Sequence, residues 1–419
     1  MMKNYTGYMI VAMLISFLIS VKFPPVLILT TILAWLVPIL MWRSLGKGAL
    51  QQAFVLLFLG FSAILFSAGK GVFLGYGQVF SGNIPVLAMF VAVAFLTLTN
   101  QTNEDSDLPK GRSAVVTTAL GIHFLGAVIN LSALFVFGDR LRKNGKLSRD
   151  QMIVLARSFS AAAWWSPFFI ATGVALTYAP DMLWKQTLVP GLIMSIFAIA
   201  YSVVEVCCCR KNEFSGFPIR FESLMVPVFL AGVVICVHHF WSGVNILILI
   251  CIVAPIGAVV FMRSRPRMAA LKEFVQHRIL SVNSQFVLFL AAGVFSTGLK
   301  SITLVYPHLF NLEGMQFSPL LFSIVLGVML VVGFMGVHPV VSIAITSPLL
   351  LPLNPDHSQL AFMFLCSWAI GTGSSPLSGI GLALMSRYHV SPRQIIQSNY
   401  HYVIMMWVIA SLMNILCFS

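Results

Sequence analysis

The sequence predicts an all-α polytopic membrane protein with about 11 transmembrane helices. Two re-entrant hairpins are added to these, and everything after the first helix forms two inverted repeats with broken helices 5 and 10. Three observations predict this. First, of 419 residues 59% are hydrophobic and 9% charged, with 34 Phe, whereas an ordinary soluble chain carries about 25% charged residues. A water-soluble fold has no way to hide that much apolar surface. Second, the net charge of +13 sits in short loops between apolar runs, which is the positive-inside distribution and not a nucleic-acid surface. Membrane lipid is the expected partner, and nucleic acid is not. Third, Gly/Pro clusters interrupt the apolar runs at matching places in the two halves, as in binding sites built from discontinuous membrane helices.

Apolar runs place the first four spans at 8–21, 25–42, 52–68 and 82–99. Lys3 and the apolar run after it resemble a signal peptide, but no small-residue cleavage site is clear and a second run follows at once. Residues 1–24 therefore read as a first span outside the repeat. A polar loop, Asn100 to Arg112, precedes the run 113–137, which Gly121 and Gly126 are expected to interrupt. Then come 152–178, 188–208, 224–241, 244–262 and 283–302. The run 319–353 is too long for one straight span and carries Gly333, Gly336, Pro339 and Pro348; 358–384 and 400–418 complete the chain. The first repeat is 25–208, with its hairpin at 113–137 and broken helix at 152–178. The second is 224–419, with its hairpin at 319–353 and broken helix at 358–384.

Charge orients this layout. With the N-terminus inside and both interrupted runs re-entrant, 20 of the 25 Lys and Arg fall on the cytoplasmic side. These include Arg210, Lys211, Arg220 and Arg263. Four (Lys22, Lys70, Lys185 and Lys300) fall outside, and Arg157 lies within a span. If either run crossed the bilayer, every later loop would invert and the bias would be lost. The hairpins then enter from opposite faces, so the repeats are inverted, and the C-terminus ends outside. The seven Cys show no metal-ligand spacing with His and read as small packing residues. The triplet Cys207-Cys208-Cys209 lies at a basic helix end, where a lipid or a reactive thiol is the lesser alternative.

The matching interruptions align residue by residue. Gly121 pairs with Gly336, His123 with His338, Ser132 with Ser347, Ser166 with Ser375, and Pro167 with Pro376. The candidate binding residues are Gly121, Ile122 and His123 with Ser166 and Pro167 in the first copy. In the second they are Gly336, Val337, His338 and Pro339 with Thr372, Gly373, Ser374, Ser375 and Pro376. A helix that stops at mid-membrane leaves N–H or C=O groups that cost several kcal/mol in lipid unless they line a cavity and meet a ligand. The N–H ends suit anionic groups, and carbonyl ends with hydroxyls suit sodium. Pro339 fits the first turn of a new helix, where its missing N–H costs nothing. Trp164 and Trp165 are possible walls. His123 and His338 read equally as proton carriers or as satisfied packing histidines. With Gly371 and Thr372 they are the ion-coupling candidates. Arg157 either snorkels to the cytoplasmic surface or attracts an anion; Glu205 reads as reaching the interface. The interrupted segments carry no Asp or Glu, which disfavours proton coupling through a carboxylate and leaves His338 or a sodium ion. No other cofactor is implied. There is no His-Glu-x-x-His, Gly-x-Ser-x-Gly or Gly-x-x-x-x-Gly-Lys-Ser/Thr motif, so metalloprotease, serine-hydrolase and nucleotide-driven classes are disfavoured and no enzyme is expected.

This arrangement resembles the ion transporter superfamily. That group includes divalent anion/sodium symporters, citrate transporters and the large membrane subunit of tripartite transporters. The resemblance covers most of the chain as architecture, and Ser374-Ser375-Pro376 is similar to that group's Thr-Pro-Pro break in the tenth span. Its dicarboxylate symporters carry Ser-Asn-Thr at each hairpin tip, where this chain reads Gly121-Ile122-His123 and Gly336-Val337-His338. The resemblance implies a secondary transporter of a small, carboxylate-bearing anion in a bacterial inner membrane, coupled to sodium or protons. It also implies an elevator-like motion of hairpins and broken spans against a scaffold, and a homodimer. A channel, or the membrane subunit of a larger transport assembly, is the alternative.

Overall fold

The computed structural model describes residues 2–99, 108–209, 214–217, 221–241, 243–262, 264–307 and 316–418. Most of the Asn100–Arg112 loop and Arg210, Lys211, Arg220 and Arg263 lie outside the described residues, as do the side chains of Lys3, Lys47 and Cys209. The fold is all-α. Among the described residues there is no strand, only two isolated bridges, Lys110 with Ser215 and Lys143 with Lys146. Seven described segments are long and apolar enough to cross a membrane, and six shorter apolar helices accompany them. The protein is an integral, multi-pass membrane protein. Its surface agrees: Phe54, Phe58 and Leu65 stand exposed along one helix, where a soluble protein would place polar groups.

The chain opens with α1 (Met2–Ser20), α2 (Val26–Leu40), α3 (Lys47–Gly69), α4 (Tyr76–Ser81) and α5 (Ile84–Ala94). Next come α6 (Arg112–Ile129), α7 (Leu131–Leu141), α8 (Arg149–Ser160), α9 (Ile170–Tyr178) and α10 (Trp184–Cys209). The middle holds α11 (Phe221–Phe240), α12 (Ile246–Val260), α13 (Arg267–Glu273) and α14 (Asn283–Val305). The chain closes with α15 (Pro319–Phe334), α16 (Pro339–Leu350), α17 (His357–Ser374), α18 (Gly379–Tyr388) and α19 (Pro392–Phe418). Helix starts follow the sequence chemistry. Ser148 and Gln151 form a complete capping box at α8, Asp356 caps α17, Ser378 caps α18, and Ser318 caps α15 with Pro319 in its first turn. Each cap satisfies N–H groups that the helix itself leaves unpaired.

The chain divides into two compact units, each drawn from both halves of the sequence. The first comprises residues 1–101, 229–316 and 343–354. In it α3 packs along α14, α1 along α2, and α5 against α12. Asn83 Nδ2 donates to the Phe289 carbonyl at 2.7 Å, and Trp35 Nε1 donates to the Phe80 carbonyl at 3.0 Å.

The second unit comprises residues 102–228, 317–342 and 355–419. Its buried axis is made of α8 and α17, which pack on each other; every residue of α17 but the first is buried. Helix α17 stops directly at the pair Ser375-Pro376, whereas α8 passes through a 3-10 turn, Ala161–Trp164, before it reaches Ser166-Pro167. The segments α7, α8, α9 and α18 are only 9 to 12 residues long. At 1.5 Å per residue none covers the ~30 Å hydrocarbon core alone.

The turn between α6 and α7 departs from expectation. Helix α6 runs unbroken through Gly121 and Gly126, and the chain turns only at Asn130, whose φ is +49°. A lone glycine costs a helix only about 1 kcal/mol, a cost that burial within the unit readily offsets. Asn is among the few non-Gly residues that tolerate the left-handed region. His123 is therefore in mid-helix, away from any tip. Ser132, in the first turn of α7, is beside one. The α15–α16 turn does lie where the sequence places it, at 335–338, with Gly336 at φ +102°.

Candidate functional site

All the candidate binding residues lie in the second unit. The two breaks repeat one backbone design. Proline pushes the residue before it out of the helical region, and Ser375 accordingly sits at φ −87°, ψ 133°. Ser166 N–H donates to the Ala162 carbonyl at 3.0 Å, and Ser375 N–H to the Gly371 carbonyl at 2.9 Å. Two residues on, Phe168 N–H donates to Ser166 Oγ at 3.2 Å and Leu377 N–H to Ser375 Oγ at 3.3 Å. Phe169 N–H and Ser378 N–H then reach the Ser166 and Ser375 carbonyls at 3.2 and 3.3 Å. The serines of the two Ser-Pro pairs thus shape the turn, each hydroxyl accepting from the backbone it reverses.

What surrounds the two turns differs. At the first, Ser166 Oγ donates to the Ala127 carbonyl of α6, and Thr172 Oγ1 donates to the Ser166 carbonyl at 2.7 Å. Asn130, at the α6–α7 tip, donates its amide to the Phe168 carbonyl at 2.9 Å. Nothing in the Gly-x-His pairing marks Asn130, whose only sequence signal is an Asn inside an apolar run.

At the second turn Ser378 Oγ donates to the Thr372 and Ser375 carbonyls at 2.7 and 2.8 Å. Among the described residues, Thr372 Oγ1 and Ser374 Oγ, both on buried residues, have no hydrogen-bond partner; neither does Ser342 Oγ, one turn into α16. A buried hydroxyl without a partner costs about 1–3 kcal/mol; Ser158 and Tyr402 carry others elsewhere in the unit, but the two at positions 372 and 374 sit together at a helix break, where a ligand could satisfy them.

The α15–α16 tip packs onto this second break. At φ +102° Gly336 has a backbone that favours glycine, and a Cβ there would also have to displace a Leu377 methyl 2.2 Å away. His338 Nδ1 accepts from Val340 N–H at 3.2 Å and caps α16; its ring stands edge-on to Trp368 at 5.4 Å. Gly373 sits against the last turn of α8, where a Cβ would lie 2.3 Å from Ser160 Oγ. Gly371, Thr372, Gly373, Ser374, Ser375 and Pro376 are thereby brought together with Gly336, Val337, His338 and Pro339. Gly121 and Ile122 are buried in the middle of α6 and contribute nothing to either turn.

Arg157 follows neither sequence reading. It does not reach the surface: it is 0% exposed. Nor does it hold a free charge for an anion. Its Nη1 pairs with Glu205 Oε2 at 2.7 Å, its Nε donates to Asn399 Oδ1 at 2.8 Å, and its Nη2 donates to the Ser398 carbonyl. The guanidinium lies over the Tyr402 ring at 4.4 Å. Burying an arginine requires that its charge and donors be met, and here they are met by α10 and α19. Trp164, read as a wall, is fully buried and donates to Cys366 Sγ at 3.3 Å.

No family model and no curated protein matches this sequence. Among solved structures the fold is similar to that of the YdaH transporter from Alcanivorax borkumensis, with a TM-score of 0.55 at 12% identity. That match covers 87% of this chain and 98% of the other.

Proposed function

We propose that the protein is a secondary active transporter that binds a small, carboxylate-bearing anion together with a coupling ion at the second break. The observation that carries this reading is the pair of buried, unpartnered hydroxyls, Thr372 Oγ1 and Ser374 Oγ, at a helix break packed against a turn. The likeness to a transporter's fold supports it. Sodium is the better-supported coupling ion. The interrupted segments hold no carboxylate, both ring nitrogens of His123 are engaged, and His338 Nδ1 already accepts a backbone N–H. Hydroxyl and carbonyl oxygens, the groups on offer, are ligands suited to a hard cation. The division into two compact units is the arrangement an elevator-like mechanism requires, with the second unit carrying the site. A homodimer in a bacterial inner membrane, N-terminus in the cytoplasm and C-terminus outside, completes the reading.

The test is a thermal-shift screen of small carboxylates on purified protein, with and without sodium, followed by gradient-driven uptake in proteoliposomes. A hit that needs sodium and saturates is expected. Ser374→Ala should then weaken it about 10- to 150-fold, the worth of one hydrogen bond to a charged group at ~1.5–3 kcal/mol. Wild-type affinity in both Ser374→Ala and Thr372→Val would place the site elsewhere, and non-saturating flux would mean a channel.

A further inference from the structure

His123 is buried in the middle of α6, and both of its ring nitrogens are used. Nδ1 lies 3.0 Å from the Ser158 carbonyl oxygen, and Nε2 lies 3.1 Å from Trp165 Nε1. A carbonyl only accepts and an indole N–H only donates. The partners therefore leave one choice: the proton is on Nδ1 and the Nε2 lone pair receives the indole. A second proton on the ring would set two N–H groups head to head.

Both partners lie on the approach to the same interruption, seven residues apart. Ser158 belongs to the last turn of α8, where helix carbonyls run out of intrahelical donors. Trp165 immediately precedes Ser166 and Pro167, with φ −136° and ψ −25°, outside the helix. Its ring is half-buried and within 5.8 Å of the imidazole. We infer that His123 is a positioning residue, a neutral Nδ1–H staple that joins the end of α8 to the Trp165 indole and fixes that ring as a wall of the first break. The role differs from both ligand binding and proton carriage. It rests on reading the breaks as the ligand site, but its tests use the resting protein without ligand, so transport can fail with the staple intact.

Two measurements on the full chain in nanodiscs test it. Nitrogen-15 histidine spectra, with the His123 signals assigned by their loss in His123→Gln, should show the neutral Nδ1–H tautomer at neutral pH. An Nε2–H form or an imidazolium overturns the inference. In protein labelled with 5-fluorotryptophan, the Trp165 line is identified by its loss in Trp165→Phe. His123→Leu should shift or broaden that line. His123→Gln, whose amide offers one donor and one acceptor, should restore its position. A Trp165 line that stays put in His123→Leu overturns the inference, as does one displaced equally in both variants. If His123→Leu does not fold, the tautomer and the glutamine variant still decide the matter.

Discussion

At the first break the residues before the Ser-Pro pair are Ala162, Ala163, Trp164 and Trp165; in register at the second they are Gly371, Thr372, Gly373 and Ser374. The turns themselves match bond for bond, within about 0.1 Å at each of three hydrogen bonds. The fillings do not match. Indoles and alanines pack the first, its serine hydroxyl is spent on α6, and Asn130 closes over a backbone carbonyl. Glycines and hydroxyls leave the second less completely satisfied. One break is built as a packed joint and the other retains unspent polar groups. Repetition of a backbone motif therefore does not imply repetition of its chemistry, and substitutions in the two copies should separate stability from binding.

The largest effect is expected in the joint. Arg157→Leu leaves Glu205 without its cation and Asn399 without its donor; breaking a buried pair from one side costs roughly 3–5 kcal/mol, and the partial exposure of Glu205 puts this case toward the lower end. The unfolding temperature of the purified protein should fall sharply. The double variant Arg157→Leu with Glu205→Leu should recover part of the loss, because no charge is then left behind. At the position in register with Arg157, Cys366 makes only a weak contact with the Trp164 indole, so Cys366→Ala should cost much less. Equal losses at the two positions would remove the distinction between joint and site.

A smaller effect separates the serines. Ser166→Ala strips the Ala127 carbonyl of its donor and the Phe168 N–H of its acceptor, for about 1–3 kcal/mol. Ser374→Ala removes a hydroxyl that has no partner to lose, so without ligand it should be neutral or slightly stabilising. The crossover is the diagnostic: Ser166→Ala lowers resting stability, and Ser374→Ala lowers only the stabilisation by ligand. Resting melts of both variants, with the ligand-induced shift of Ser374→Ala, check it.

The Ser-Pro breaks were legible in the sequence because proline acts locally, on its neighbour and on one N–H. The turn at 335–338 was legible for the same reason, with Gly336 and Pro339 only three positions apart. The turn at Asn130 was not. Its neighbours are as apolar as any helix interior, and the glycines at 121 and 126 offered a false signal that tertiary packing overrode. The partners of Arg157 were out of reach on other grounds: they stand 48 and 242 residues away, and nothing local distinguishes a paired arginine from one that snorkels. The hydroxyls at 372 and 374 lie inside a Gly/Ser/Pro cluster visible in the sequence, but that Ser375 spends its own on the turn while Ser374 does not is a matter of backbone direction, which composition does not encode.

The smallest expected effect lies where the two copies touch each other directly. Arg387, at the end of α18, grips Asp139 at the end of α7 with both arms of its guanidinium, at 2.9 and 2.5 Å, and stacks over Phe135 at 5.1 Å. Tyr388 adds its hydroxyl to the same carboxylate at 3.3 Å. Burial works against the Asp139 charge, but the Arg387 hydrogen bonds and charge prevail and hold the carboxyl below its usual range. The sign follows. A depressed folded-state value contributes stability that is fully present above the ordinary carboxylate range and is lost as pH falls through the folded value. The pair is partly solvated, so its worth is that of a surface bridge, about 0.2–1 kcal/mol. Asp139→Asn should lower the melting temperature slightly at neutral pH, and the gap from wild type should be flat down to mildly acidic pH and close below it. Bidentate geometry makes the site selective for arginine, so Arg387→Lys should behave like Asp139→Asn and not like wild type. A gap that widened on acidification would mean that the carboxyl is stabilised in its protonated form, and that the first copy's α7 is held to the second copy's α18 by packing alone.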